Sequence, residues 1–120
     1  MCSSDLMAAA LGIGIDVEEP VGNMIIDIGG GTTGITVIAL AGIVCDQSIR
    51  IAGDEFTADI MEALRRYHSL LIGERTAEQI KINIGAAIKD LEHAPEDIPV
   101  NGRDLVTGIP KQIKIGRAHV

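Results

Sequence analysis

The sequence predicts an α/β fold in which three antiparallel strands are followed by two amphipathic helices and a short β-rich end. Three β-rich runs lie between residues 24 and 51. Apolar residues then recur at helical spacing twice, after residue 54 and after residue 76. The 120 residues are 47% hydrophobic but only 2% aromatic, so one small core must be built from Ile, Leu, Val and Ala.

Composition and charge argue against several classes of protein. The net charge of −7 is unfavourable for a nucleic-acid surface, so no nucleic-acid partner is expected. No apolar run reaches the length needed to span a membrane, and no charged-then-apolar leader is present. Cys2 and Cys45 are too few for a disulfide framework or a metal site. These features are typical of a cytosolic protein.

The two ends of the chain are expected to be adapter-derived scars. Cys-Ser-Ser-Asp-Leu at 2–6 can be encoded by (T)GC TCT TCC GAT CT(N), and Ile-Gly-Arg-Ala at 115–118 by (AG)ATC GGA AGA GC(N). Without the first T and the two N positions, the sequences are GCTCTTCCGATCT and AGATCGGAAGAGC. These two DNA sequences are reverse complements and resemble a common sequencing-library adapter. We therefore exclude 1–6 and 115–120 from the fold prediction. The remaining chain is expected to be an internal fragment of a longer protein.

A glycine-rich turn preceded by an acidic residue joins the first two predicted strands, Met24–Ile28 and Ile35–Leu40. Glycine permits positive φ and a close approach of the backbone to a ligand, so successive N–H groups can converge on an anion. Asp27 would repel a bare phosphate, and it therefore predicts an intervening cation such as Mg²⁺. The pattern favours a phosphate loop of a Mg-nucleotide site; the alternative is a flexible hairpin turn that binds nothing. The residues concerned are Asp27, Ile28, Gly29, Gly30, Gly31, Thr32, Thr33 and Gly34.

Local signals place the neighbouring elements. Met7–Gly12 is interpreted as a helix end, because Ala and Leu favour helices and glycine stops them. Ala41-Gly42 is expected to turn the chain into a third strand, Ile43–Ile51. Asp54 is expected to cap a helix with one apolar face. That face consists of Phe56, Ile60, Ala63 and Leu64.

The second helix is expected to begin with a capping box formed by Thr76 and Gln79. Glu78 and Lys81 lie three residues apart, so they share a face of this helix. From these residues alone, the pair is a solvated ion pair worth a few tenths of a kcal/mol. The predicted apolar stripe beside it consists of Ile80, Ile84, Ala87 and Ile88.

The last third of the chain is expected to contain a polar loop and short strands. The polar loop follows Lys89. Asn-Gly at 101–102 predicts a hairpin turn between the runs Ile98–Val100 and Leu105–Thr107. Pro110 limits the next strand, Lys111–Lys114.

Several motifs resemble the actin-like ATPase superfamily, which includes actin, the large heat-shock chaperones and sugar kinases. The run 27–33 looks like the second phosphate loop of that superfamily. Three further runs, Ile49–Phe56, Leu71–Glu74 and Thr76–Lys81, narrow the resemblance to the MreB/Mbl family of bacterial rod-shape proteins. The resemblance extends from Met7 to Lys114.

The resemblance implies a ribonuclease-H-like actin-fold domain, corresponding to the second half of an actin-like ATPase and incomplete. In that fold, the three antiparallel strands open the sheet. Residues 7–53 would form part of the core subdomain with the phosphate loop. Residues 54–114 would form helices and a small, truncated α+β outer subdomain.

The resemblance also implies roles for individual residues around ATP and Mg²⁺. Asp27 would act on the catalytic side by holding the metal through water. Gly85 would leave room for the adenine ring, and the family's water-positioning acid lies outside the fragment, which is therefore expected to be inactive. The phosphates would be held by Gly29, Gly30, Gly31 and Thr32, and the nucleoside by Glu78, Gln79, Ile80 and Lys81.

The function implied for the parent protein is that of a filament-forming bacterial actin homologue with ATPase activity. It would organise cell-wall synthesis and rod cell shape from the cytoplasmic side of the membrane. Its expected partners are further copies of itself and the membrane-associated cell-wall elongation machinery. The alternatives in the same superfamily are a chaperone-like ATPase switch and a sugar or acetate kinase.

Overall fold

A computed structural model describes residues 3–88 and 92–116. The described chain contains three helices and six strands in the order α1, β1, β2, β3, α2, β4, α3, β5, β6. It divides into two compact units, Met1–Glu55 and Phe56–Val120. Each unit has its own three-stranded antiparallel sheet, so the predicted α/β class is confirmed.

The first unit is built on the predicted three-stranded sheet, with strand order β1-β2-β3. These strands are Asn23–Ile28, Thr33–Ala39 and Gly42–Ile49, close to the predicted bounds. Helix α1, Ser3–Gly12, contacts β1 and β2. The core between the helix and the sheet contains Ala10, Ile25 and Ile38, with Met7, Ile15 and Val17 packed against them.

The turn between β2 and β3 differs from the prediction. Its two residues are Leu40 and Ala41, with φ of 52° and 56°, and not Ala41-Gly42. Two-residue hairpin turns of type I′ need positive φ at both positions, which non-glycine residues adopt at a cost. The segment before β1 stabilises this turn, because Leu40 N–H donates to Glu19 O and Ala41 N–H to Val17 O.

Helix α2, Gly53–His68, begins one residue before the predicted cap, so Asp54 lies inside the first turn. Its buried residues are Thr57, Ile60 and Leu64. The prediction for Phe56 is wrong, because its side chain is 45% exposed. Thr57 takes that buried position, three and seven residues before Ile60 and Leu64, a spacing that keeps all three on one face.

Helix α3, Glu74–Ile84, begins before the predicted capping box. Its N-cap is Gly73, with no side-chain cap hydrogen bond, so the capping box at Thr76 is wrong. The helix ends at Ile84, where the N–H of Gly85 donates to the Lys81 carbonyl. The predicted apolar stripe wrongly includes Ala87 and Ile88, because both residues lie beyond the end of the helix and are exposed.

The second sheet has the order β4-β5-β6, and its strands are Leu70–Leu71, Ile98–Asp104 and Pro110–Ile115. The predicted Asn-Gly turn is wrong, because both residues lie inside β5. A Cβ on Gly102 would lie 2.7 Å from the Leu70 side chain and 2.8 Å from the Leu71 carbonyl oxygen. Glycine therefore stands here because β4 approaches too closely for a side chain.

The core of the second unit joins α2, α3 and the second sheet. Ile115 is fully buried there, and Leu6 is 1% exposed in the first unit, although both residues were excluded from the fold prediction. The assignment of the chain ends to an adapter stays a prediction. The core cluster consists of Ile60, Leu64, Leu70, Ile72, Ala77, Ile80, Ile84, Val100 and Ile115.

No helix in the described ranges combines the length and apolarity needed to cross a membrane.

Candidate functional site

The glycine-rich loop between β1 and β2 is a closed turn. The N–H of Gly29 donates to the carbonyl oxygen of Thr32 at 3.0 Å. None of its three glycines has positive φ; among the described glycines only Gly14 and Gly108 do. The conformational reason expected for the glycines is therefore wrong, and the space around them must account for their presence.

Two backbone hydrogen bonds connect this loop to the first residues of α2, which belong to the same unit. Gly53 N–H donates to Gly29 O at 3.0 Å, and Asp54 N–H donates to Gly30 O at 2.8 Å. In a trans peptide the N–H points opposite to the C=O. The N–H groups of Gly30 and Gly31 therefore point away from α2. Within the described ranges no acceptor is seen for either, so both can donate to an anion.

The space around two of the three glycines is tight. A Cβ on Gly30 would lie 3.3 Å from both carboxylate oxygens of Asp54, and one on Gly29 would lie 3.3 Å from Thr32 O. A Cβ on Gly31 would meet no atom within 4 Å among the described residues beyond its chain neighbours. Packing thus restricts side chains at Gly29 and Gly30. The open space beside Gly31 leaves room for a ligand.

Asp27 lies near the end of β1, immediately before this loop. It is partly buried and pairs across the sheet with Gly34. Among the described residues, no group of three or more His, Cys, Asp or Glu could hold a metal ion. Mg²⁺ commonly binds through one or two carboxylates, with water and substrate phosphates completing its shell. One carboxylate beside a loop with two outward backbone N–H groups is compatible with that mode of binding.

A second polar cluster lies in the second unit, where α2 meets α3. The Lys81 ammonium contacts Glu78 Oε2 at 2.6 Å. The Thr57 hydroxyl donates to the same Oε2 at 2.8 Å and accepts from Lys81 Nζ at 3.1 Å. Sequence reasoning singled out Glu78 and Lys81 but missed Thr57. The available signal was a hydroxyl residue on the apolar face of a helix.

The electrostatics of this cluster favour an ionised carboxylate. The pKa of Glu78 is lowered, first by the hydrogen bond from Lys81 and next by that from Thr57. Glu78 is 45% exposed at its side chain and Lys81 is 24% exposed, whereas Thr57 is 4% exposed. In the described part of the chain, Oε1 of Glu78 has no hydrogen-bond partner. This oxygen can accept a hydrogen bond from a ligand hydroxyl.

The remaining candidate residues of α3 have different surroundings. Gln79 is exposed. Ile80 is 1% exposed and packs into the core of its unit. A Cβ on Gly85 would overlap the carbonyl oxygen of Lys81, so packing at the helix end accounts for this glycine. Contacts of these residues with a nucleoside stay predictions.

The comparisons with known proteins all indicate the same family. The family described as MreB/Mbl protein matches residues 1–120. The chain is 46% identical over 112 residues to the cell shape-determining protein Mbl of Bacillus subtilis, covering 93% of this chain and 33% of Mbl. It is 49% identical over 105 residues to the cell shape-determining protein MreB of Escherichia coli, covering 88% of this chain and 30% of that protein. The chain thus spans about one third of the length of these relatives.

Solved structures show the same relationship. MreB5 of Spiroplasma citri, bound to AMPPNP, superposes with a TM-score of 0.88 at 42% identity, over 95% of this chain and 34% of that one. The same protein has also been solved bound to ADP. The MamK double helical filament gives a TM-score of 0.53 at 25% identity, over 77% of this chain and 27% of MamK. The archaeal actin homologue Ta0583 gives 0.53 at 21% identity, over 66% of this chain and 27% of that one, which indicates the fold alone. The predicted actin-type fold is therefore confirmed.

Proposed function

The chain belongs to the MreB/Mbl family of cell shape-determining proteins, and we propose that it is the nucleotide-phosphate-binding part of an ATP-dependent, filament-forming bacterial actin homologue. The observation that carries the proposal is the pair of outward N–H groups at Gly30 and Gly31. Their carbonyl neighbours are held by α2, so the donors are fixed before a ligand arrives. Preorganised donors of this kind stabilise an anion without first having to be reoriented.

ATP is the ligand that we propose for each of the two polar sites, and each site is argued by itself. Phosphate oxygens would accept from the loop N–H groups and from the hydroxyl of Thr32. A sugar hydroxyl would donate to Glu78 Oε1 in the second unit. The related MreB5 has been solved bound to AMPPNP and to ADP, which supports an adenine nucleotide here.

Asp27 is assigned to the metal side of the phosphates. When bound, Mg²⁺ would neutralise phosphate charge and lower the barrier to attack by water. Asp27 would accept hydrogen bonds from water on that cation and thereby orient it. The N–H groups of the loop would bind the phosphates and hold them beside the Asp27 carboxylate.

Assembly and location are proposed from the membership in this family. Filament formation is supported by the similarity to MamK, whose solved form is a double helical filament. Relatives named as cell shape-determining proteins support a role in cell shape. On the family resemblance alone, we further propose that the parent protein organises cell-wall synthesis together with the membrane-associated elongation machinery, on the cytoplasmic side of the membrane. The match of the MreB/Mbl family to the whole chain favours this function over a chaperone-like switch or a sugar or acetate kinase.

The phosphate assignment can be tested on the ¹⁵N-labelled chain by NMR. Titration with Mg-ATP or inorganic triphosphate should shift the amide signals of Gly30 and Gly31, because their protons would bond phosphate oxygens. The amides of Gly14 and Gly108 serve as internal controls.

A Gly31→Val variant sharpens this test. Apart from Gly31 itself and its two chain neighbours, no atom of the described residues lies within 4 Å of the Cβ position at Gly31. Its φ is not positive, so the substitution should leave the fold intact. The side chain would occupy the ligand's space and remove the triphosphate-dependent shifts. Gly12→Val, at a position that is equally open, is the matched control. Unchanged shifts in Gly31→Val would show that the loop is only a turn.

A further inference from the structure

The hydroxyl of Thr57 lies between the two charged groups of the α3 pair. It donates to Glu78 Oε2 at 2.8 Å and accepts from Lys81 Nζ at 3.1 Å, while those two atoms are 2.6 Å apart. Three polar atoms therefore contact one another pairwise. Thr57 comes from a different helix, and its side chain is buried at 4% exposure.

An ion pair on one helix does not by itself fix a binding geometry. Glu and Lys have long side chains with many rotamers, and exposed pairs at this spacing contribute only a few tenths of a kcal/mol. Threonine is branched at Cβ and is restricted to two main χ1 rotamers in a helix. A buried threonine hydroxyl that bonds both charged groups restricts both side chains at once.

The same contacts decide which carboxylate oxygen faces a ligand. Oε2 of Glu78 is engaged by two donors, Thr57 and Lys81. Oε1 is left without a partner in the described residues, on a side chain that is 45% exposed. An outward acceptor with a fixed orientation suits a hydroxyl donor such as that of a sugar.

We propose that Thr57 is a positioning residue that holds the Glu78 carboxylate with Oε1 outward, ready to accept a hydrogen bond from a sugar hydroxyl. The identity of the ligand rests on the proposed nucleotide-binding function. The positioning itself is argued from the contacts among Thr57, Glu78 and Lys81 and needs no ligand. The two can therefore be tested separately.

The positioning is tested without nucleotide by NMR titration of Glu78 in the chain labelled at glutamate carboxyl carbons, with Glu78→Gln to assign the signal. Thr57→Val keeps the size and burial of the side chain but removes the hydroxyl. It should raise the pKa of Glu78, because one of the hydrogen bonds that lower it is lost. Thr57→Ser keeps the hydroxyl and should retain the wild-type value. Thr57→Ala is a second hydroxyl-free variant if Thr57→Val does not fold. An unchanged Glu78 midpoint in a folded hydroxyl-free variant would overturn the proposal.

Ligand binding gives the second readout, measured with ATP and with inorganic triphosphate on the same variants. Thr57→Val should weaken ATP roughly three- to tenfold and triphosphate not at all, since one hydrogen-bonded group at the sugar is lost. Thr57→Ser should restore ATP affinity. Equal losses for both ligands would overturn the link to the sugar. If wild-type chain binds neither ligand while the Glu78 midpoint still moves in Thr57→Val, the proposed function fails and the positioning stands.

Discussion

At the scale of single residues, Asp104 closes the turn between β5 and β6. Its Oδ1 accepts from the N–H groups of Val106 at 2.8 Å and Thr107 at 3.2 Å. Its Oδ2 lies 3.3 Å from Lys111 Nζ. The pKa of Asp104 is lowered mainly by the Val106 and Thr107 hydrogen bonds, with Lys111 adding to the effect. The turn therefore follows Asp104, whose ionised carboxylate stabilises it, and does not lie at Asn101-Gly102 as predicted.

The lowered pKa predicts how stability depends on pH. A carboxyl whose pKa is lower in the folded state stabilises the fold above its unfolded pKa, and this contribution is lost as pH falls through the folded value. The loss should therefore occur below about pH 4. Asp104→Ala should lower Tm by a few degrees at pH 7, and the difference from wild type should shrink towards pH 2. Thermal unfolding followed by circular dichroism at several pH values measures both.

Lys111→Met is the matched control for that experiment. It removes the ion pair but leaves the two backbone hydrogen bonds of Asp104, which are the larger cause of the lowered pKa. Its effect on Tm should be smaller than that of Asp104→Ala. A Tm difference for Asp104→Ala that is the same at all pH values would contradict a role for the charge.

The polar residues also show what local spacing can reveal. Glu78 and Lys81 share one helix, so their proximity was predictable from a separation of three residues. Thr57 lies 21 residues before Glu78, and its contact depends on how two helices pack. Periodicity assigned that buried position to Phe56 because a threonine is not counted as apolar. Its hydroxyl is satisfied by the charged pair, which makes its burial possible.

At the scale of elements, the β2–β3 turn is the best place to test backbone strain. Leu40 and Ala41 both have positive φ, and Leu40 is 68% exposed. Asn and Gly adopt this conformation more easily, and little buried surface would be lost on changing Leu40. The double variant Leu40→Asn with Ala41→Gly should therefore stabilise the chain by about 1 kcal/mol.

Urea unfolding of the double variant measures this gain. Leu40→Ala is the control, because it removes the exposed side chain without easing positive φ. The hydrogen bonds to Glu19 and Val17 involve backbone N–H groups of the turn and remain possible in both variants. A double variant no more stable than Leu40→Ala would show that the positive φ values carry no appreciable cost.

The elements also show where local signals are overridden. The three strands of the first sheet were predictable because β-rich runs alternate with short turns. Strand β5 was not predictable, because the dipeptide Asn101-Gly102 by itself is a strong signal for a turn. The close approach of Leu70 and Leu71 decides that Gly102 lies in a strand, and this information is not local to the sequence. The start of α3 was predicted too late in the sequence. Its N-cap is Gly73, which has no side chain to form a cap, so no local signal marks it.

At the scale of the whole molecule, the family was predictable but the extent of the fold was not. The combination of a phosphate loop with the runs at 49–56 and 71–81 predicts the MreB/Mbl family, and the comparisons confirm it. Leu6 and Ile115 are buried although the sequence analysis set both ends aside. Burial near the chain ends depends on tertiary packing, which codon-level reasoning does not address.

The last prediction concerns catalysis by the chain itself, which covers about one third of the length of its curated relatives. The three loop glycines are all exposed. Charge interactions at an exposed site are several-fold weaker than at a partly buried one. The donors at Gly30 and Gly31 should therefore bind Mg-ATP weakly. Hydrolysis also needs a positioned water, and no residue of the described chain is assigned to hold it.

We therefore expect no phosphate release above background when the purified chain is incubated with Mg-ATP. Asp27→Ala is the matched control, because it removes the carboxylate assigned to the metal and should give the same background rate. Full-length Mbl of Bacillus subtilis, assayed in parallel, provides the reference for this family. Release by wild-type chain that exceeds the Asp27→Ala rate by tenfold or more would contradict the prediction. It would also show that Asp27, the glycine loop and the rest of this chain are sufficient for turnover.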